Sequence, residues 1–230
     1  LVCDNPAITG YPFSTGMWIK LTASGSSARQ LFSLSNTGAL DHYLVVRMNT
    51  SEILQHIAIA GASNAQVSST AVITGLWAYF VARFVSATQR RMHVYVPGHA
   101  TFAVDTATNT TSRTPTGLNA ITLGAMNLSS GFADFWDGIL AEWWMCRGDI
   151  TSDSLDMTQG ELHALAYGGP FNHPRVAGAL VDYKSMRQGW QSEIPTPHVW
   201  TAVGPPVVSL HPPLPYWYAR PDQVQTELVI

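Results

Sequence analysis

Along the chain, large apolar side chains recur at alternate positions in short runs, and clusters of Gly, Asn, Ser and Pro separate the runs. Alternation with period two marks a strand that buries one face. Met17-Trp18-Ile19-Lys20-Leu21 is the first such run, entered through Pro12-Phe13 and closed by Ser24-Gly25-Ser26-Ser27. Residues 30–35, 43–48 and 53–60 read as the next strands, joined by Asn36-Thr37-Gly38 and Asn49-Thr50-Ser51. Residues 76–85 carry large side chains on both faces, with Trp77, Tyr79 and Val81 against Leu76, Phe80 and Phe84, as a strand between two packed layers would. In 91–96, Met92, Val94 and Val96 oppose His93 and Tyr95, and Pro97-Gly98 stops the run. A Thr/Asn-rich stretch over 101–116 separates this from a short strand at 120–124, and Phe135-Trp136-Asp137-Gly138 turns into the last, 139–146.

Only one segment has helical periodicity. In Thr158 to Tyr167, Leu162, Leu165 and Ala166 fall on one face, and Gly168-Gly169-Pro170 is a helix stop. Strands eight to fifteen residues apart, with Gly/Asn/Ser turns, predict an all-β fold, an antiparallel jelly-roll β-sandwich with one short helix. The expected division is a sandwich over 1–169 and an extended C-terminal arm over 170–230, rich in Pro and aromatic residues and packed on the sandwich or on a neighbouring subunit. In the arm, Pro195, Pro197, Pro205, Pro206, Pro212, Pro213 and Pro215 are interleaved with Trp190, Trp200, Tyr216, Trp217 and Tyr218, a ring density that needs burial.

Composition narrows the function classes. Of 230 residues, 46% are hydrophobic and only 12% charged, which excludes a disordered chain. A net charge of −3 gives no field that would hold a phosphate backbone or an anionic bilayer, so neither nucleic acid nor membrane is an expected partner. No run reaches the roughly 18 apolar residues of a membrane helix. The chain opens Leu1-Val2-Cys3-Asp4, without a basic and apolar leader and without an initiator Met, so a processed or trimmed start is expected. The two cysteines, Cys3 and Cys146, form no metal motif; a disulfide between them would require the first and last strands to be neighbours.

Three stations of the chain resemble the laminin-G-like members of the concanavalin A-like lectin/glucanase superfamily. Phe13-Ser14-Thr15-Gly16-Met17-Trp18-Ile19-Lys20 resembles that family's opening strand. Thr74-Gly75-Leu76-Trp77-Ala78-Tyr79-Phe80-Val81, followed by Arg91-Met92-His93-Val94-Tyr95-Val96-Pro97-Gly98, resembles its central hairpin. Ile121-Thr122-Leu123-Gly124, then Phe135-Trp136-Asp137-Gly138-Ile139-Leu140-Ala141-Glu142, then 152–167 resembles its closing strand and helix. Ala179-Leu180-Val181-Asp182-Tyr183 and 198–215 also look like tails that follow such domains in phage-encoded virion proteins, which implies a structural role: capsid decoration, head fibre or tail surface protein.

Hydrolases of the superfamily carry paired carboxylates on one strand, and retaining hydrolysis needs them about 5–5.5 Å apart. The glutamates here are Glu52, Glu142, Glu161, Glu193 and Glu227, and none has an acidic partner two or four positions away on a strand. The sequence therefore predicts no catalytic residue and no enzyme; Glu142, beside Trp143 and Trp144, is the residual candidate for a glycoside hydrolase, otherwise a solvent-face residue. Asp41, Asp105, Asp134 and Asp137 are loop acids that could supply oxygens to a Ca²⁺, but no D-x-D or D-x-N run concentrates them, and the eight histidines show no zinc spacing. No cofactor is expected beyond that candidate Ca²⁺. Alternation places Trp143 with Ile139 and Met145, and Trp144 with Leu140 and Cys146. One face is core; the other carries the arm, docks a subunit or stacks sugar rings.

The leading expectation is a non-enzymatic structural surface protein, on a virion or extracellular, with other virion subunits or its own copies as partners through Trp144, Trp200, Tyr216, Trp217 and Tyr218. The alternative is a carbohydrate-binding adhesin that meets cell-surface glycans through loops 36–42 and 129–136, with Asp41, His42, Asp134 and Trp136 as ligand-binding residues.

Overall fold

The alternating runs pair as antiparallel strands in a computed structural model, which describes residues 1–22, 27–61, 63–72, 75–97, 102–108, 112–151, 157–184 and 200–201. The strands are β1 (Val2–Asp4), β2 (Phe13–Leu21), β3 (Arg29–Ser35), β4 (His42–Met48), β5 (Ile53–Ala60), β6 (Ser63–Val72), β7 (Trp77–Phe84), β8 (Gln89–Tyr95), β9 (Phe102–Thr108), β10 (Ala120–Leu123), β11 (Met126–Leu128), β12 (Gly131–Ala133), β13 (Gly138–Arg147), β14 (Leu180–Lys184) and β15 (Trp200–Thr201). They form a seven-stranded sheet in the order β15-β1-β10-β3-β4-β5-β6, a six-stranded sheet in the order β14-β13-β2-β7-β8-β9, and the separate hairpin β11-β12. The two large sheets are the layers of the expected sandwich.

Their facing sides hold the main core. From the six-stranded sheet come Phe13, Met17, Ile19, Phe80, Phe84, Met92 and Val94; from the seven-stranded sheet, Phe32, Leu34, Leu44, Val46 and Leu54. Phe13 stacks on Phe84 with centroids 4.4 Å apart. Each such side chain contributes about 1.5–3 kcal/mol on burial.

The outer face of the six-stranded sheet is also apolar, and the chain closes it itself. Helix α1 (Gln159–Gly168) presents Leu162, Leu165 and Ala166, and α2 (Pro174–Ala179) presents Val176, to Trp18, Tyr79, Val81, Trp144 and Cys146. Thr158 and Glu161 form a reciprocal capping box that fixes where α1 begins, Glu161 N–H donating to Thr158 Oγ1 at 3.2 Å and Thr158 N–H to Glu161 Oε2 at 2.8 Å. The indole N–H of Trp18 donates to Ala166 O at 2.8 Å, and that of Trp144 to Tyr79 Oη at 2.7 Å. Arg83, which interrupts the apolar run of β7, is neutralised on this face by a two-pronged ion pair to Asp149, 2.6 Å on each arm.

Several expectations are corrected. The alternation marks no strand over 63–72 and treats 101–116 as a separating stretch, whereas β6 and β9 are the outermost strands of their sheets, where pairing on one side tolerates Ser, Thr and Ala in place of a strong apolar alternation. Asp105 accordingly belongs to strand β9 and not to a loop. Segment 170–184, assigned to the arm, is a 3₁₀ turn at Pro170–Asn172, helix α2 and strand β14, which pairs with β13. The sandwich also takes in β15, so it extends past the expected boundary at 169. Cys3 and Cys146 are both free and buried, one in each sheet, so the proposed bridge does not form.

The faces of β13 are set by a bulge. Ala141 pairs with Trp18 and Trp144 with Gly16, so Glu142 and Trp143 together oppose Met17. Glu142 takes a φ of 54°, in the left-handed region, and the alternation restarts one position later. Leu140, Trp143 and Met145 therefore face the core, while Ala141, Trp144 and Cys146 face the helices. The pairing of Trp143 with Met145 and of Trp144 with Cys146 is as expected, but Leu140 changes sides. Gly16 accommodates the displaced ring: a Cβ there would meet Trp144 Cζ2 at 2.8 Å and Phe80 O at 2.9 Å.

Candidate functional site

The residual catalytic candidate lies inside the molecule. Glu142 is only 6% exposed and accepts a hydrogen bond from the Tyr183 hydroxyl, so it is not on a solvent face. Its peptide conformation follows from the bulge, and its carboxylate sits with Tyr183 on the side that α2 and Phe171 cover. Among the described residues no cluster of three or more His, Cys, Asp or Glu could hold a metal ion, so Asp41, Asp134 and Asp137 are not gathered into a calcium site; the Asp105 side chain lies outside the description.

The outer face of the seven-stranded sheet is built differently. Alternation along β4 and β5 sends Tyr43, Val45, Arg47, Gln55, Ile57 and Ile59 outward. Hairpin β11-β12 lies over part of this face, and Met126 and Leu128 bury Val45 and Ile57 beneath it. Serines of β3 fasten the hairpin: Ser33 Oγ donates to Ala125 O at 3.3 Å and Ser35 Oγ to Asn127 O at 2.6 Å. Beside the hairpin, half-buried Arg47 donates from Nε to Gln55 Oε1 at 3.0 Å, its register partner on β5. Burial raises the Tyr43 phenol above its ordinary value; the Arg47 charge opposes this, while Asp134 and Asp41 reinforce it. The result is a shelf on which half-buried Arg47 and Tyr43 lie at the edge of the hairpin, with Gln55 buried beneath the guanidinium that it holds.

The two loops expected to bind ligand do meet, because Ser129 N–H donates to Ala39 O at 3.3 Å. Asp41 is exposed, and 3.8 Å separates it from His42. His42 Nδ1 accepts from Thr116 N–H at 3.0 Å, so that ring is committed to holding the neighbouring segment. Asp134 is exposed with φ 52°; its carboxylate accepts from Gln30 Nε2 at 3.3 Å and its carbonyl from Gln30 N–H at 2.8 Å. Trp136 packs in part on the core and over Gly138 and remains partly exposed. Tyr43, Arg47 and Gln55 were not singled out from the sequence, since their signal, outward parity on β4 and β5, appears only once the core face is known.

The residues expected at a subunit interface are placed otherwise. Trp144 is wholly buried under the chain's own helices. Trp200 is buried too: β15 adds to the edge strand β1, and the indole inserts against Trp143 with centroids 5.2 Å apart. Its N–H donates to Asp182 Oδ2 at 2.7 Å, and Lys184 Nζ lies 4.6 Å from its ring. Both rings are thus consumed by intramolecular packing. Tyr216, Trp217 and Tyr218 lie outside the described residues.

A family model for the concanavalin A-like lectin/glucanase superfamily, of laminin G type, matches residues 2–154. Among solved structures, the carbohydrate-binding module of a Ruminococcus gnavus sialidase, bound to α2,6-sialyllactose, aligns at 14% identity and TM-score 0.51, over 72% of this chain and 98% of that one. The NanB sialidase of Streptococcus pneumoniae aligns at 20% identity and TM-score 0.51, over 67% of this chain and 25% of its own. The LG1-3 region of the laminin α2 chain aligns at 10% identity and TM-score 0.50, over 67% and 32%. No curated protein matches in sequence.

Proposed function

This chain belongs to the concanavalin A-like lectin/glucanase superfamily, and on that premise we propose that it is a non-catalytic glycan-binding module acting outside the cell or on a particle surface. The observation that carries the reading is the Tyr43–Arg47–Gln55 shelf beside hairpin β11-β12, where the Arg47–Gln55 hydrogen bond holds two planar polar groups at a fixed spacing on a sheet rather than on loops. Sugars present vicinal hydroxyls and apolar ring faces, which such a shelf matches with donors, acceptors and the Tyr43 ring. A sialidase module of this fold binds sialyllactose, which supports a sugar as the ligand class. The buried position of Glu142 supports the non-catalytic part of the reading, since a substrate would have to displace Tyr183 to reach it.

The test is a glycan array followed by calorimetry on the hits. Arg47→Gln should weaken binding roughly tenfold, about 1.4 kcal/mol, with an unchanged thermal midpoint. No array signal above background, or a hit that Arg47→Gln binds equally well, refutes the reading.

A structural place on a virion is the second reading, favoured by the root of the arm. Trp200 pins the chain to the β1 edge, so whatever follows residue 201 starts from a fixed point on the sandwich. Cross-linking that returns only contacts within one chain, at particle-like protein concentrations, counts against it.

A further inference from the structure

At the end of the sandwich where β7 turns into β8, a cavity of about 500 Å³ opens between loop 9–12, turn 85–87 and segment 114–115, with Leu44 and Leu118 beneath it. Behind its wall lies Arg90, wholly buried on the core face of β8. One guanidinium nitrogen, Nη1, donates to Ala87 O at 2.9 Å and to Tyr11 Oη at 3.4 Å, and both of those residues line the cavity. Nε and Nη2 are buried with no hydrogen-bond partner, and no carboxylate pairs with the group among the described residues.

The surroundings add cation without adding anion. Tyr11 Oη donates onward to Arg113 O at 3.1 Å, Arg113 N–H donates to Ala87 O at 2.9 Å, and Arg113 Nε is likewise buried with no partner. His56 is wholly buried and packs edge-on to Phe84. Burial first, and then the Arg90 charge, holds that imidazole neutral. Asp41, on the neighbouring loop, is exposed, so water screens its charge. A buried cation without a counter-charge projects a strong positive potential through a low-dielectric wall. At the mouth, Ser86 Oγ accepts from the N–H groups of Thr88 and Gln89, at 3.3 and 3.0 Å, and shares a further hydrogen bond with Thr88 Oγ1 at 3.3 Å in which either hydroxyl can donate, so with Thr88 as the donor the Ser86 proton can turn to the cavity.

We propose that this cavity binds a small organic anion, a carboxylate carried on a ring-sized body. The anionic group sits at the Tyr11–Ser86 side, where the Arg90 field is strongest, and the ring lies over Leu44, Pro115 and Leu118. The site is separate from the Tyr43–Arg47–Gln55 shelf and does not depend on it.

Amide spectra of the full chain, titrated with glucuronate, with glucose as neutral control and with inorganic sulfate, test the assignment. Glucuronate should shift the Ser86, Ala87 and Thr114 amides saturably, and raising the salt should weaken it; glucose should leave them in place. Arg90→Gln should weaken glucuronate roughly tenfold. If that variant does not fold, Ser86→Tyr, at the half-buried turn, should block the mouth while leaving the core untouched. Arg47→Gln should change nothing here, which separates this site from the shelf. Equal shifts with glucose, no shifts with glucuronate, or undiminished binding in Ser86→Tyr overturns the proposal, and sulfate binding as tightly as glucuronate overturns its ring-bearing ligand.

Discussion

Replacing Tyr79 by Phe removes a single oxygen from beneath the helices, and its effect can be worked from the structure. That oxygen accepts the Trp144 indole N–H at 2.7 Å, and both side chains are essentially unexposed. No cavity of consequence is created, so the cost is that of a stranded buried donor, about 1–3 kcal/mol. For a chain of this size, each kcal/mol moves the midpoint by about 2–4 °C, giving a fall of roughly 2–12 °C. Trp144→Phe should cost more than Tyr79→Phe, because it also leaves space above Gly16. The double variant should recover about 1 kcal/mol relative to the sum, because neither partner is then left alone. Urea unfolding followed by Trp fluorescence and far-UV dichroism provides all four corners of the cycle. A Tyr79→Phe loss below about 0.5 kcal/mol, or strict additivity in the double variant, refutes the reasoning.

Two further outcomes follow from buried titratable groups. His56 and His173 are held below their ordinary value, chiefly by burial, His56 the more strongly, so each binds its proton more weakly when folded than when unfolded. Their contribution is complete above pH 6.5 and lost as the pH falls below it; the midpoint should drop between pH 7 and pH 5, and His56→Met should flatten that slope. Burial pushes the Cys3 thiol up to about 11 and the Cys146 thiol up to about 12, so neither should react with a disulfide reagent at pH 8 until the chain unfolds, when two thiols should appear.

The central strands were legible because each buries one face against the opposite sheet and therefore carries its periodicity in the sequence; β2, β4, β5, β7 and β8 all fall where the alternation places them. The edge strands β6 and β9 were not, because pairing on one side leaves Ser and Thr free to occupy them. Helix α1 announces itself through Leu162, Leu165 and Gly169, whereas α2 is only six residues long and begins at a proline, so no period accumulates. Turn chemistry marks 36–42 as a loop, but its contact with 129–136 depends on how hairpin β11-β12 folds over the sheet. The shelf could not: Arg47 and Gln55 are eight residues apart in sequence, and only the antiparallel register sets them opposite one another. Nor does the sequence distinguish Trp136 as packed and Arg90 as enclosed, since both depend on what closes over them.

The bulge at Glu142 gives β13 two packing frames, one before it and one after. Its sequence is therefore read like a message with a frameshift: deleting Glu142 itself would leave both frames in their layers, whereas inserting or deleting one residue elsewhere between Gly138 and Arg147 would send part of the strand's side chains to the wrong layer. A grafted or recombined version of this domain could thus shed the bulge residue and keep both layers, but no other change of length in that segment leaves them intact.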